Sequence, residues 1–213
     1  TPDPAGGTIE RDAGGAPTGI LTDDAMLLID AARARVSHAR RGSEGAPPRL
    51  IARQVLPAPT AAAVDASVDE VLKACAARGL TGVHDLAAQP GDLDYYAAKA
   101  AAGELTLRLH VYRDAAAHGN APPPLPWANE SALVRCRGAK FFADGAMGSW
   151  TAAMLEPYSD KNTTGTLVYN ASALLAGVET WRAAGYQVAT HAIGDAANRQ
   201  ILDVYEAAGV SAA

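Results

Sequence analysis

Apolar and polar positions along the chain follow two periods, and their alternation lays out the elements. Near the start, "GGTIERDAGGAPTGILTDDA" predicts two short strands, Thr8 to Asp12 and Gly19 to Thr22, around a turn supplied by Gly and Pro. A helix is expected from Asp23 to about Arg40, stopped by Gly42, and "RLIARQVL" reads as another short strand. From Ser67 the rhythm becomes regular. "SVDEVLKACAARG" is helical, with Ser67 and Glu70 at capping-box spacing and Gly79 as the stop. "LTGVHDL" reads as a strand, "DLDYYAAKAAAGE" as a helix and "LTLRLHVYRD" as a strand. Beyond the Pro-rich "APPPLPW" come the strand "ALVRCRGAKFFAD" and a long loop from Gly145 to Tyr169. The helix "ASALLAGVETWRAAG", the strand "YQVATHAIG" and the helix "DAANRQILDVYEAAG" complete the series.

Strands alternating with helices imply βα units and a mainly parallel α/β sheet. A doubly wound open sheet and a (β/α)8 barrel both satisfy this rhythm, and both place chemistry at the C-terminal ends of strands. No phosphate-binding glycine fingerprint occurs, which counts against the nucleotide-binding open sheets.

Composition narrows the classes further. The 213 residues, 49% hydrophobic and 19% charged, suffice for one sizeable core or two small ones. A formal charge of −5 carries no nucleic-acid footprint, and the basic run "ARARVSHARR" reads as a solvated helix face. No apolar run approaches the length of a membrane span, and no signal peptide is visible. Cys75 falls in a helix and Cys136 in a strand, without any CxxC motif, so reduced structural thiols and a cytoplasmic setting are expected.

One lysine stands out. Lys140 lies inside the apolar run "RGAKFFADGAMGSW", where strand alternation would put it on one face with Cys136, Phe142 and Asp144. A buried ammonium is costly, so three readings remain: an ion pair with Asp144 or another acid, a Schiff-base amine, or a carbamate able to ligate metal. His191 ends the strand "YQVATH", where imidazole binds metal, moves protons or bonds to backbone. Asp195 reads as the N-cap of the following helix, with Asn198 in its first turn. His84 and Asp85 end another strand and read as satisfied structural groups, and His110 as a packed one. His38 and His118 receive no role. The loop after Asp144 has the length to close over a substrate, with Tyr158, Ser159 and Asp160 as polar contacts.

Taken together, "KFFADGAMGS", "PYSD", "GYQVATHAIGDAAN" and "LDVYE" resemble the amidohydrolase superfamily. Within it the resemblance is to amidohydrolase family 3, which includes enzymes similar to N-substituted formamide deformylase. "TPDPAGGTIERDAGGAPTGILTDDAM" resembles that family's inserted segment and "GLTGVHDL" its second barrel strand. The resemblance implies a metallo-dependent hydrolase barrel of the TIM type, (β/α)8, with one or two divalent metals, zinc foremost. Metal-activated water would cleave a carbon–nitrogen bond in a small amide-like substrate. Family ligands are a His-x-His pair on the first strand, a carboxylated lysine on the fourth and histidines on the fifth and sixth, with an aspartate on the eighth as proton acceptor. Lys140 matches the lysine and His191 the fifth-strand histidine, while Asp144, Tyr158 and Asp160 are expected to contact substrate.

No His-x-His occurs among His38, His84, His110, His118 and His191. The expectation is therefore an incomplete barrel, about strands two to five, with residues 1–62 as the insertion and 63–213 as the barrel part. Such a fragment would be inactive alone. A truncated, non-catalytic binding module and a Schiff-base aldolase-like barrel are the alternatives.

Overall fold

The computed structural model describes residues 2–4, 7–26, 28–29, 60–119, 122–125 and 133–210. The expected strand "RLIARQVL", His38, the basic run and most of the helix expected from Asp23 lie outside them. Two compact units are present, Thr1–Asp65 and Ala66–Ala213. In the first, strand β1 (Gly7–Arg11) pairs antiparallel with β2 (Pro17–Asp23), close to the expected bounds. The turn is held by the Asp12 carboxylate, whose Oδ1 accepts from Gly14 N and Ala16 N, and by Gly15 at φ 83°.

The second unit is built from βα repeats. Helix α1 (Ala61–Ala77) precedes β3 (Gly82–Ala88), α2 (Asp92–Ala101) precedes β4 (Arg108–Asp114), and β5 (Val134–Phe142) leads into the long loop. Then follow α3 (Ala171–Ala183), β6 (Gln187–His191) and α4 (Asp195–Ala207). The four strands form one parallel sheet in sequential order β3-β4-β5-β6, without the reversal that defines a doubly wound sheet.

Helix α1 starts earlier than the Ser67–Glu70 spacing suggests. Thr60 Oγ1 accepts from Ala63 N at 3.2 Å, and the alanine-rich first turns carry the helix, leaving Ser67 in its interior. Its end is as read, since Gly79 takes φ 74°. Helix α3 begins at a conventional cap, Asn170 Oδ1 accepting from Ala173 N at 2.8 Å. It buries Leu174, Val178 and Trp181 against Leu109, Val111, Cys136, Ala139 and Phe141 of the sheet. Burying side chains of this size contributes about 1.5–3 kcal/mol each before conformational entropy is subtracted.

Lys99, at the end of α2, is buried yet paired. Its Nζ lies 2.9 Å from Asp69 of α1 and 3.1 Å from Glu104. The charge thereby ties α2 to α1.

One irregularity governs the site. Between β4 and β5 the register jumps, Val111 pairing with Cys136 and Tyr112 with Gly138, so Arg137 is an extra residue. The bulge inverts the alternation. Cys136 belongs to the helix-side core together with Ala139 and Phe141, whereas Lys140 and Phe142 turn to the opposite face. Strict alternation would have kept Cys136 and Lys140 together; they are on different faces.

Candidate active site

The open face of the sheet gathers the polar chemistry. Across β3, β4 and β5 the register aligns His84, His110 and Arg135, with the two imidazoles stacked at 4.8 Å. These residues, with Tyr112, Arg137, Gly138 and Gln187, line a cavity of about 280 Å³. Tyr112 donates its hydroxyl hydrogen to Gln187 Oε1 at 3.0 Å, which fixes Gln187 on this face. Alternation along β6 then puts Ala189 and His191 on the same face, while Thr190 turns back to bond Tyr205 of α4.

Lys140 and His191 therefore share a face. In the register Lys140 pairs with Ala189 and Phe142 with His191, so the two polar residues are diagonal neighbours. Both pack on Phe142: Lys140 Nζ is 4.0 Å from its ring centroid and the imidazole centroid 5.6 Å. Lys140 is only 8% exposed, and no hydrogen bond or ion pair from a described residue reaches its Nζ. Burial pushes its pKa down from the ordinary lysine value, and the Asp114 carboxylate pulls the other way more weakly. The ion pair with Asp144 that the sequence allowed is not formed.

His191 is oriented by backbone. Its Nε2 lies 2.9 Å from the Gly145 carbonyl oxygen and 3.6 Å from Asp144 Oδ1. Since a carbonyl only accepts, Nε2 carries the hydrogen, and a neutral ring keeps its lone pair at Nδ1.

Asp144, expected to contact substrate, has both carboxylate oxygens engaged within the fold. It is 2% exposed, and backbone N–H groups occupy its carboxylate: Ile193 N on Oδ1 at 3.0 Å, and Ala153 N and Gly194 N on Oδ2 at 2.9 and 2.7 Å. Asp195 is likewise not the N-cap. Gly194 holds that position, and Asp195 Oδ1 accepts from Leu155 N at 2.8 Å and from Ala196 N. Asn198 Nδ2 donates to the Gly194 carbonyl at 2.8 Å.

The long loop is consequently fastened at many points. Trp150 Nε1 donates to Asp160 at 3.0 Å, Tyr158 donates to the Ala152 carbonyl at 2.8 Å, and Ala196 N donates to Ala153 O. Desolvation, with the Asp144 charge second, raises the Tyr158 pKa. Tyr158 and Asp160 each have an internal partner, leaving a phenolic lone pair and a second carboxylate oxygen unused. Away from this edge, Asp85 accepts from Tyr96 at 2.8 Å, and His118 bonds the Asp114 carbonyl oxygen and Arg113. Sequence reasoning had given His118 no role; nothing in its surroundings marked it.

Does the donor set suit a divalent metal? Lys140 and His191 offer two donor positions beside a water-excluding ring, whereas a catalytic zinc takes three protein ligands. Among the described residues no three His, Cys, Asp or Glu side chains converge on a metal position. The two fit as part of such a site and only as part.

The model of the amidohydrolase family matches residues 1–213. "Putative amidohydrolase YtcJ" of Bacillus subtilis (strain 168) is 33% identical over 221 residues, covering 97% of this chain and 35% of that protein. "Protein LONG AFTER FAR-RED 3" of Arabidopsis thaliana is 30% identical over 218 residues, covering 97% and 34%. An uncharacterized metal-dependent hydrolase from Pyrococcus furiosus superposes with a TM-score of 0.61 at 26% identity, over 76% of this chain and 34% of that one. One from Pyrococcus horikoshii OT3 gives 0.64 at 23% identity, over 95% and 37%, a likeness of fold alone. The chain belongs to the amidohydrolase family, and it spans about a third of the length of the curated relatives it matches. Among the described residues no helix is long and apolar enough to cross a membrane.

Proposed function

We propose that this chain is the middle of a metal-dependent hydrolase barrel, about strands two to five. The enzyme it belongs to would cleave carbon–nitrogen bonds of the amide or formamide type in a small molecule. The carrying observation is Lys140, buried with no direct hydrogen bond or ion pair from a described residue and on the same face as His191, in a chain whose whole length matches the amidohydrolase family. The sequential, unreversed parallel order supports a barrel over a doubly wound sheet.

When bound, a divalent ion such as zinc supplies Lewis acidity and activates water toward the carbonyl. The residues prepare its place. Burial lowers the pKa of the Lys140 amine, and in its neutral form the amine can attack carbon dioxide; the new N–C bond forms, one amine proton leaves, and an anionic carbamate oxygen becomes a hard ligand. His191 donates its Nε2 hydrogen to Gly145 and offers Nδ1. Phe142 excludes water from one side of the pair. Tyr158 and Asp160 contribute the polar lining on the loop, through the atoms their internal bonds leave over. The described residues supply two donor positions of a site that takes three protein ligands, so the chain alone is expected to be inactive. A cytoplasmic setting accords with Cys75 and Cys136 not being joined in a disulfide.

A panel of N-substituted formamides, amides and matched esters, assayed with the longer protein, tests this reading. Cleavage of the carbon–nitrogen substrates should disappear after chelation and return with added divalent ion. Cleavage that persists in the metal-free protein contradicts it. The lowered pKa of Lys140 also suits a Schiff base. Borohydride trapping in the presence of a carbonyl compound, followed by a mass increase at Lys140, would favour that chemistry instead.

A further inference from the structure

We propose that Asp144 is a positioning residue that acts through His191, holding the imidazole in one tautomer and one orientation. The inference rests on the metal-centre reading above but concerns a residue that the family's ligand set does not include.

Three observations carry it. First, the Asp144 carboxylate draws its N–H donors from two separate segments: Ala153 in the loop after β5, and Ile193 and Gly194 in the turn after β6. A buried carboxylate so satisfied joins both segments at one point. Second, that point lies beside His191. Oδ1 is 3.6 Å from Nε2, and Gly145, the residue next to Asp144, provides the carbonyl that accepts the Nε2 hydrogen at 2.9 Å. Moving Asp144 moves the acceptor. Third, no atom can be added at the junction. A Cβ on Gly194 would lie 1.8 Å from the Ala153 carbonyl oxygen, and Ala153 also accepts from Ala196 N at 3.1 Å. The loop, the turn and the imidazole are thus locked as one piece, and the negative charge of Asp144 favours Nε2–H over Nδ1–H. Partners of this kind behind a metal-binding imidazole typically change metal affinity 10–100-fold when removed.

The test uses the longer protein with selectively 15N-labelled histidine, in wild type, Asp144→Asn and Asp195→Asn. Asp195→Asn loosens the loop at Leu155 without touching His191, so it controls for general loosening. In metal-free wild type the His191 nitrogen shifts should show the Nε2–H tautomer alone. Asp144→Asn should give a mixture of tautomers and weaken zinc binding at least tenfold, while Asp195→Asn keeps both within twofold of wild type. Equal loss in both variants, or an unchanged tautomer and affinity in Asp144→Asn, overturns the proposal. If Asp144→Asn does not fold, the wild-type tautomer decides: Nδ1–H or a mixture overturns it. A wild-type protein that binds no zinc would defeat the metal-centre reading separately, because the tautomer is read without metal.

Discussion

Lys140 and His191 sit on the same face of adjacent parallel strands, two residues apart in register, with the ring of Phe142 beside both. Phe142 is 37% exposed, so the apolar contact is at the rim of the sheet and not within its core. The arrangement makes the amine poor at holding its proton and leaves one imidazole nitrogen available.

The lowered Lys140 pKa carries a stability consequence whose sign is fixed. In the folded state the amine releases its proton at lower pH than in the unfolded chain, so between the two values the unfolded state binds more protons. Stability therefore rises with pH through that window, and the cost is greatest below it. Lys140→Met should stabilise the metal-free protein at pH 7, with the advantage shrinking as pH approaches the ordinary lysine range. Urea denaturation across a pH series checks this; a wild type that is more stable than the variant at every pH contradicts it.

Gly194 leaves no room for a side chain, because the obstacle is the Ala153 backbone and cannot rotate away. Gly194→Ala should cost about 2 kcal/mol or more. It should also increase proteolysis within residues 145–169, as the fastening of that loop opens. Gly148, with nothing near its Cβ position, is the control: Gly148→Ala should change both by little.

Lys99 has two carboxylate partners, each substantially solvated. Removing one leaves the other, so Asp69→Asn and Glu104→Gln should each cost roughly 1 kcal/mol or less. The double variant removes both carboxylates from a buried ammonium and should cost more than the two singles together, by about 1 kcal/mol or more. Additive effects in a double-mutant cycle would contradict this coupling between the two carboxylates.

Gly138 supports the ring of Tyr112, which a Cβ would meet at 2.0 Å. Gly138→Ala should destabilise by about 1–3 kcal/mol. Replacing Tyr112 with alanine should remove most of that penalty, since the obstacle is a side chain. Thermal melts of the two singles and the double check the compensation.

The periodic parts of the fold were legible before any coordinates. Each βα repeat after Ser67 appears where apolar spacing and glycine stops place it, because helices and strands of this length announce themselves through local pattern. What escaped was non-local. The extra residue at Arg137 has no signature of its own, yet it decides that Cys136 and Lys140 face opposite ways. The start of α1 was hidden because alanines run helical without a marked cap box. Asp195 looked like a cap since its residue type and place fit one; its bond to Leu155 crosses 40 residues and no local rule reaches that far. The same holds for Asp144, whose three donors lie 9, 49 and 50 residues away. The proximity of Lys140 and His191 was readable only through the family resemblance and the rule that strand ends gather chemistry.

The most direct measurement is metal content by elemental analysis of the longer protein, beside Lys140→Ala and His191→Ala, each verified as folded. The account predicts bound divalent metal in wild type and a loss of at least half of it in either variant. Full occupancy in both variants would show that neither the amine at 140 nor the imidazole at 191 holds the ion, and would contradict the account at its base.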